Sequence, residues 1–214
     1  MKKSTLLGLS FVLVATGLTT LTTVSVDAHG YVKEPASRGY QGFLDKNQLG
    51  WSAAHDKYGA VIDDPQSLEG KKGFPQAGPA DGHIASADGV LGDYTLDKQT
   101  ADRWTKHTVF TGKNNFSWTF TADHATTKWH YYITKNGWDQ NKPLTRDELQ
   151  LIDTIDHDGD VASTDKTHEV TIPTDHLGYH VVLAVWDIDD TPNAFYNVID
   201  VNVKQGNRLT NLAQ

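Results

Sequence analysis

The segment FSWTFTA, residues 116–122, indicates the fold class of this 214-residue chain most clearly. Its large apolar side chains alternate with Ser and Thr, so that Phe116, Trp118 and Phe120 project from one face of an extended chain. A period of two residues is typical of a strand that buries one face and exposes the other. The alternation therefore predicts a β-strand that packs one face on a core.

Four other segments in the second half of the chain have the composition of strands. The stretch HVVLAVWDI at 180–188 is almost continuously apolar and rich in β-branched residues, which predicts a central strand covered on both faces. Shorter runs predict the remaining strands at 128–134, 169–172 and 195–203. Several short strands separated by turn residues predict a β-sandwich.

The region between about residues 37 and 106 breaks this pattern. It is rich in Gly, Pro, Asp and Ala and has no sustained period of either kind. We therefore expect a large insertion of loops and short helical turns, packed on one end of the sandwich. Residues 143–155 are predicted to form a helix, because a Pro stands at the start and acidic residues follow in the first turns. Residues 204–214 are predicted to be a polar C-terminal tail.

The composition limits both the partners and the chemistry. The chain carries 27 acidic and 19 basic side chains, a net charge of -8, which disfavours binding to a nucleic acid or an anionic membrane. The 214 residues contain no Cys, which excludes disulfides, thiolate metal sites and thiol nucleophiles. The 6 Trp, 8 Tyr and 7 Phe are sufficient for a packed core.

The first 28 residues have the pattern of a secretory signal peptide. Two Lys follow the initial Met, an apolar and Thr-rich run covers 6–26, and Ala28 occupies the position before the cleavage site. Cleavage there predicts a secreted protein with no membrane association, whose mature chain begins at His29. We expect residues 29–203 to form a single domain.

A free amine on His29 would have a chemical consequence. An N-terminal histidine can bind one metal ion through its amine and an imidazole nitrogen together. His124 follows directly after the predicted strand at 116–122 and can supply a third nitrogen. Three nitrogens in one plane suit Cu(II) and tolerate Cu(I). The alternative is that His124 is an ordinary surface histidine, since the chain contains 10.

Two pairs of adjacent carboxylates offer a different chemistry. Asp63-Asp64 and Asp189-Asp190 could supply the acid and the base of a glycosidase. Adjacent side chains usually point apart, so such a dyad needs one member from each pair. Nothing in the spacing requires that arrangement.

Several longer motifs occur in order along the chain: HGYV (29–32), PQSLEG (65–70), GFPQAGPADGHIASA (73–87), TADH (121–124), YITKNGW (132–138), AVWD (184–187) and NAFY (193–196). Together they resemble the lytic polysaccharide monooxygenases of auxiliary-activity family 10, formerly called chitin-binding proteins. The resemblance spans essentially all of 29–203. It implies a mostly β fold, a fibronectin-III-like or immunoglobulin-like sandwich with a large loop and short-helix insertion between early strands.

The resemblance also implies a histidine brace, in which the His29 amine, the His29 imidazole and the His124 imidazole hold one copper ion. By the same match, Phe195 fills an axial position without binding the metal, and Ala122 crowds the opposite side. Glu69 is implied to lie beside the metal, where it steers the oxygen species or its protons. Trp186 is implied to be buried beneath the site.

A flat substrate-binding face is implied around this brace, with the polar residues Asp63, Asp64, Glu69, Thr121, Asp190 and Asn193. Relatives commonly carry an aromatic residue where this chain has Asp63. Stacking on a sugar ring is lost at that position unless Trp51 or Tyr58, from the upstream segment, replaces it.

The activity implied by the resemblance is oxidative cleavage of β-1,4 glycosidic bonds in crystalline chitin at C1. It requires copper, O2 or H2O2, and an external reductant, since the chain holds no second redox centre. We expect a monomer that binds insoluble chitin. Three alternatives remain at this point: a non-catalytic chitin adhesin using the same face, a copper-carrier protein, and cellulose as the substrate.

Overall fold

A computed structural model describes residues 29–163 and 166–206. The predicted signal peptide and residues 207–214 of the predicted tail lie outside the described residues. Within them the chain forms nine strands and two α-helices: β1 His29–Glu34, α1 Arg38–Leu49, α2 Trp51–Tyr58, β2 Glu69–Lys71, β3 His107–Phe110, β4 Gly112–Ala122, β5 Thr126–Thr134, β6 Leu149–Asp156, β7 Lys166–Ile172, β8 Gly178–Ile188 and β9 Asn193–Lys204. Short 3-10 helices cover Ala60–Ile62, Thr95–Asp97 and Arg146–Glu148.

The strands form two sheets that pack as a sandwich. The first sheet has the antiparallel order β1-β4-β7. The second has the order β2-β9-β8-β5-β6, and β3 adds to β9 in parallel. The mostly β sandwich predicted from the sequence is confirmed.

The core between the two sheets is aromatic. Phe116, Trp118 and Phe120 of β4 are buried, and the side chains between them are half-buried, so the predicted alternation is confirmed. From the other sheet, Trp129 and Trp186 face them and are fully buried. The strand β8 is covered on both faces, because its alternate residues pack into two different hydrophobic clusters.

The insertion between β1 and β3 covers the outer face of the second sheet. Its apolar side chains, among them Tyr58, Phe74 and Trp104, pack in one cluster with Leu183 and Val185 of β8. The predicted insertion is therefore present, but the expectation that it packs on one end of the sandwich is wrong, because its core lies along the face of β8 and β9. It also contains two complete helices and the strand β2, which extends the second sheet. No helix of residues 29–163 or 166–206 is long and apolar enough to cross a membrane.

The helix predicted at 143–155 is wrong. Thr145 and Glu148 do form a capping box, which is the start signal of a helix, but only one 3-10 turn follows it. The next residues form β6, which pairs with β5. Ile152 and Ile155 of β6 pack against the core between the sheets, so tertiary pairing overrides the local helix signal.

A buried ion pair ties the insertion to the sandwich. Arg38, the first residue of α1, binds both oxygens of Asp200 in β9, with Nε and Nη2 at 2.7 and 2.8 Å. The same guanidinium donates to the Leu96 carbonyl at 2.8 Å and to Gln99, and it lies over the Trp104 ring. Since both charged side chains are almost completely buried, each depends on the other for compensation.

We expect the substitution Arg38→Met to lower the free energy of unfolding by about 3–5 kcal/mol, because it leaves Asp200 charged and buried without its partner. Denaturant unfolding at neutral pH measures the loss. The control is Lys113→Met, which breaks the exposed pair with Glu169 and should cost at most about 1 kcal/mol. The double variant Arg38→Met/Asp200→Leu should recover most of the lost stability. Equal losses of stability in Arg38→Met and Lys113→Met would contradict the anchoring role.

A second prediction concerns pH. Burial, with smaller effects of Lys166 and His157, lowers the pKa of His168 to about 4, and its Nδ1 lies 2.6 Å from the Tyr131 hydroxyl. The unfolded chain binds a proton on His168 below about pH 6.5, whereas the folded chain does not until about pH 4, so this residue costs stability as the pH falls. At pH 5 the cost is about 2 kcal/mol.

The variant His168→Asn keeps an acceptor for the Tyr131 hydroxyl but does not titrate. We expect it to be less stable at pH 7, because its side chain fills less space, and to lose less stability than the parent between pH 7 and 5. Burial also lowers the pKa of His107 and His180, so the comparison is between the two slopes. Parallel stability curves for the two proteins would refute the assignment.

Candidate metal centre

Strand pairing brings the two predicted histidine ligands to one end of the first sheet. In the register of β1 and β4, His29 lies opposite Ala122, the last residue of β4, and His124 follows two residues later. The Thr121 hydroxyl contacts the His29 carbonyl at 3.4 Å. Ala122 therefore lies next to His29.

A glycine allows His29 to lie close to the core. A Cβ atom on Gly30 would meet the Phe120 ring at 2.8 Å and the Trp186 ring at 3.0 Å, which is too close for any other residue without displacement. The Gly30 N–H donates to the Gln66 carbonyl at 3.1 Å, which ties the start of β1 to the loop before β2.

His124 is buried, and its two ring nitrogens have different surroundings. Its carbonyl accepts from the Thr126 hydroxyl at 3.1 Å and from the Ala162 N–H at 2.9 Å. Nδ1 lies 3.1 Å from Asp190 Oδ1. Nε2 is buried and has no hydrogen-bond partner among the described residues. A buried nitrogen without a hydrogen-bond partner lowers the stability of the fold. An imidazole nitrogen is also a ligand that suits copper, so the residues present fit that metal.

An apolar layer supports the site from below. The Phe195 ring is fully buried with its centroid 6.5 Å from that of His29. Trp186 packs against Phe195 at 5.1 Å and against Phe120 at 4.6 Å. The Trp186 indole N–H donates to the Thr126 hydroxyl at 2.8 Å. Trp186 is thus buried under the site, and Thr126 links it to the backbone of His124.

Glu69 reaches the same end of the fold through the insertion. The short strand β2 pairs with β9 so that Glu69 lies opposite Phe195. The Asn193 side-chain amide donates to Glu69 Oε1 at 2.8 Å, which holds the half-buried carboxylate. Two residues far apart in the sequence are therefore joined beside the apolar layer.

The structure distinguishes the two candidates for the missing aromatic residue. Tyr58 is 1% exposed and packs on Trp104, so the expectation that it could stack on a sugar ring is wrong. Trp51 is 56% exposed, and its indole N–H donates to Asp63 Oδ2 at 3.0 Å. Asp63 also binds Lys46 at 2.9 Å, and these hydrogen bonds from Lys46 and Trp51 lower the pKa of its carboxyl.

The remaining residues of the predicted face are accessible. Asp64, Thr121 and Asp190 are exposed, and Asn193 is half-buried. The glycosidase alternative requires a carboxylic acid with a raised pKa, and Asp63 is shifted in the opposite direction. In the ranges that the structure describes, no group of three or more His, Asp or Glu is arranged to hold a metal. His29 and His124 lie at the same end of the first sheet, so they remain the predicted pair of side-chain ligands.

Sequence reasoning missed Thr126 and Asn197. Thr126 bridges Trp186 and His124, and the Asn197 side-chain oxygen accepts from the Val32 N–H at 3.1 Å, which joins β9 to β1. In the sequence, each stands out only as a polar residue next to apolar strand residues, and this does not identify the residue to which it is hydrogen-bonded.

Comparison with known proteins identifies the family of this chain. The family model described as "Lytic polysaccharide mono-oxygenase, cellulose-degrading" matches residues 29–201. The chain belongs to the lytic polysaccharide monooxygenases of auxiliary-activity family 10. This is a family of copper-dependent oxidoreductases.

Solved and curated relatives of this monooxygenase domain cover it almost completely. The Bacillus amyloliquefaciens CBM33 protein in complex with Cu(I) is 60% identical with a TM-score of 0.80, over 82% of this chain and 100% of that one. The lytic chitin monooxygenase of Enterococcus faecalis is 42% identical over 205 residues, 95% of this chain and all of that protein. GlcNAc-binding protein A of Shewanella oneidensis is 45% identical over 197 residues, 91% of this chain but only 39% of that protein. The chain thus spans about two fifths of the length of that GlcNAc-binding relative.

Proposed function

We propose that this chain is a secreted, monomeric copper-dependent monooxygenase that cleaves the β-1,4 bonds of crystalline chitin oxidatively at C1. The observation that carries the proposal is the position of His124, which has a buried Nε2 without a hydrogen-bond partner among the described residues. It follows β4 at the end where β4 pairs with His29, whose ring lies near Phe195. A non-catalytic adhesin would need no such pair of histidines. A copper carrier would need no Glu69 held next to Phe195.

The copper ligands in this proposal are His29 and His124. His29 supplies its imidazole and, once residues 1–28 are removed, its α-amine, while His124 supplies Nε2. When bound, copper provides a one-electron Cu(II)/Cu(I) couple that activates O2 or H2O2 with an electron from an external reductant.

The chain's own residues control access and protons. The Phe195 ring has no lone pair, so it occupies space next to His29 without acting as a ligand and excludes water there. The Asn193 amide engages Glu69 Oε1 and leaves the second carboxylate oxygen to hold or deliver a proton. Gly30 keeps His29 close to Trp186, which fixes the imidazole over a rigid base.

The exposed residues around this pair suit a flat polysaccharide surface. Trp51 offers an indole face whose N–H is already bound by Asp63, so that its orientation is set before the substrate arrives. Asp64, Thr121 and Asn193 add hydrogen-bonding groups for sugar hydroxyls and acetamides. The names of the chitin monooxygenase and GlcNAc-binding relatives support chitin, whereas the description of the family model makes cellulose the second candidate substrate.

The test is mass spectrometry of the soluble products from β-chitin incubated with the mature copper-loaded protein, with and without ascorbate. We expect aldonic-acid oligosaccharides that appear only with the reductant, and none from the His124→Ala variant, which should remain folded. A parallel incubation with cellulose identifies the alternative substrate.

Other outcomes would reject the proposal. Native oligosaccharides formed without a reductant would indicate a hydrolase. Binding to chitin without any oxidised product from either polysaccharide would indicate an adhesin. Full activity of His124→Ala would exclude the brace.

We expect Trp51→Ala to weaken binding to chitin about tenfold, because it removes an exposed stacking surface. The measurement is a binding isotherm on β-chitin without a reductant. Phe110→Ala is the matched control, since Phe110 is also an exposed aromatic residue but lies beside the opposite end of β4. Similar isotherms for Trp51→Ala and the parent would show that Trp51 is not part of the binding face.

A further inference from the structure

Asp190, a residue of the proposed face, contacts the imidazole ring of a predicted metal ligand. Its Oδ1 lies 3.1 Å from His124 Nδ1, and the carboxylate is 55% exposed whereas the imidazole is 2% exposed. An ionised carboxylate only accepts hydrogen bonds, so Nδ1 carries the proton and donates. Nε2 is then the nitrogen with a lone pair, and it is the nitrogen that is buried without a partner.

The loop that carries Asp190 is held at both ends. The Asp189 N–H donates to the Ala125 carbonyl at 2.8 Å, which ties the end of β8 to the residue after His124. The Lys72 N–H donates to the Pro192 carbonyl at 2.9 Å, which ties the other end of the loop to the insertion. These two bonds restrain the backbone on both sides of Asp190 and so keep its carboxylate within reach of the imidazole.

The backbone of His124 is fixed as well. Its carbonyl accepts from Thr126 Oγ1 and from the Ala162 N–H, at 3.1 and 2.9 Å. With Asp190 on Nδ1, the residue is held at the main chain and at one ring nitrogen. The imidazole ring therefore has little rotational freedom, and Nε2 points in one direction.

We propose that Asp190 is a positioning residue for His124. It fixes the tautomer and the ring orientation in which the lone pair of Nε2 is available to copper. Its negative charge strengthens that nitrogen as a ligand and favours Cu(II) over Cu(I). The inference rests on the proposed copper site and deepens it. A carboxylate on the second nitrogen of a metal-binding histidine commonly contributes 10–100-fold to metal affinity.

The experiment uses the mature protein and three variants. Asp190→Ala removes the acceptor and the charge, and Asp190→Asn keeps an acceptor oxygen but removes the charge. Asp189→Asn is the matched control, since it removes a charge from the same loop but its carboxylate accepts from Thr127 and does not contact His124. Cu(II) affinity is measured by competition with a chelator, the Cu(II)/Cu(I) potential by redox titration, and the copper environment by electron paramagnetic resonance.

We expect Asp190→Ala to weaken Cu(II) binding by about 10–100-fold and to change the resonance spectrum. If Cu(I) binding is unchanged, each tenfold loss raises the potential by about 59 mV. Asp190→Asn should show a smaller loss in the same direction, and Asp189→Asn should match the parent. Copper-free Asp190→Ala should lose some thermal stability, because the buried Nδ1–H of His124 loses its acceptor, whereas copper-free Asp190→Asn and Asp189→Asn should match the parent.

Two results would overturn the inference. One is an Asp190→Ala variant with the Cu(II) affinity, potential and spectrum of the parent. If copper-free Asp190→Ala then also loses affinity for chitin, Asp190 is a substrate contact alone. The other is an equal change in Asp189→Asn, which would indicate a general charge effect. A parent that binds copper tightly without oxidising chitin would reject the proposed function and leave the role of Asp190 intact, whereas a parent without tight copper binding would reject both.

Discussion

The buried pair of Arg38 and Asp200 determines where the insertion lies on the sandwich. The guanidinium is the first residue of α1, and the carboxylate stands in the middle of β9, the strand that pairs with three others. Because neither charge can remain in the interior alone, the helices are held over the outer face of the second sheet. Trp51 and Asp63 belong to this insertion, so the same pair contributes to their placement, while the pairing of β2 with β9 places Glu69.

The site is assembled at the end of the sandwich from both sheets. Pairing of β1 with β4 brings His29 next to Ala122, while β8 and β9 supply Trp186 and Phe195 beneath it. The aromatic core is tightly packed, and its upper layer is the base of the proposed metal site. The same side chains thus stabilise the fold and support that site, and Gly30 is a position at which any Cβ atom would collide with two of their rings.

Prediction from the sequence was accurate where the apolar pattern of a single segment indicates a strand. It failed where contacts with other segments decide the local structure. The alternation at 116–122 and the apolar run at 180–188 correspond to β4 and β8. The capping box at Thr145 is a real helix start, yet pairing with β5 turns the following residues into β6. Tyr58 and Trp51 are both aromatic residues of the same insertion, and only packing separates the buried one from the exposed one.

The sequence by itself determined the β-sandwich and the insertion, and it predicted the two histidines as ligands, because periodicity, composition and motif order are local properties of the chain. Only the tertiary structure decided that Nε2 of His124 is buried without a hydrogen-bond partner among the described residues, that Asn193 holds Glu69, and that Asp190 contacts Nδ1. These facts depend on contacts between residues 66 to 124 positions apart. Such contacts leave no periodic trace in the sequence, since they arise only when strand register and loop anchoring bring the side chains together.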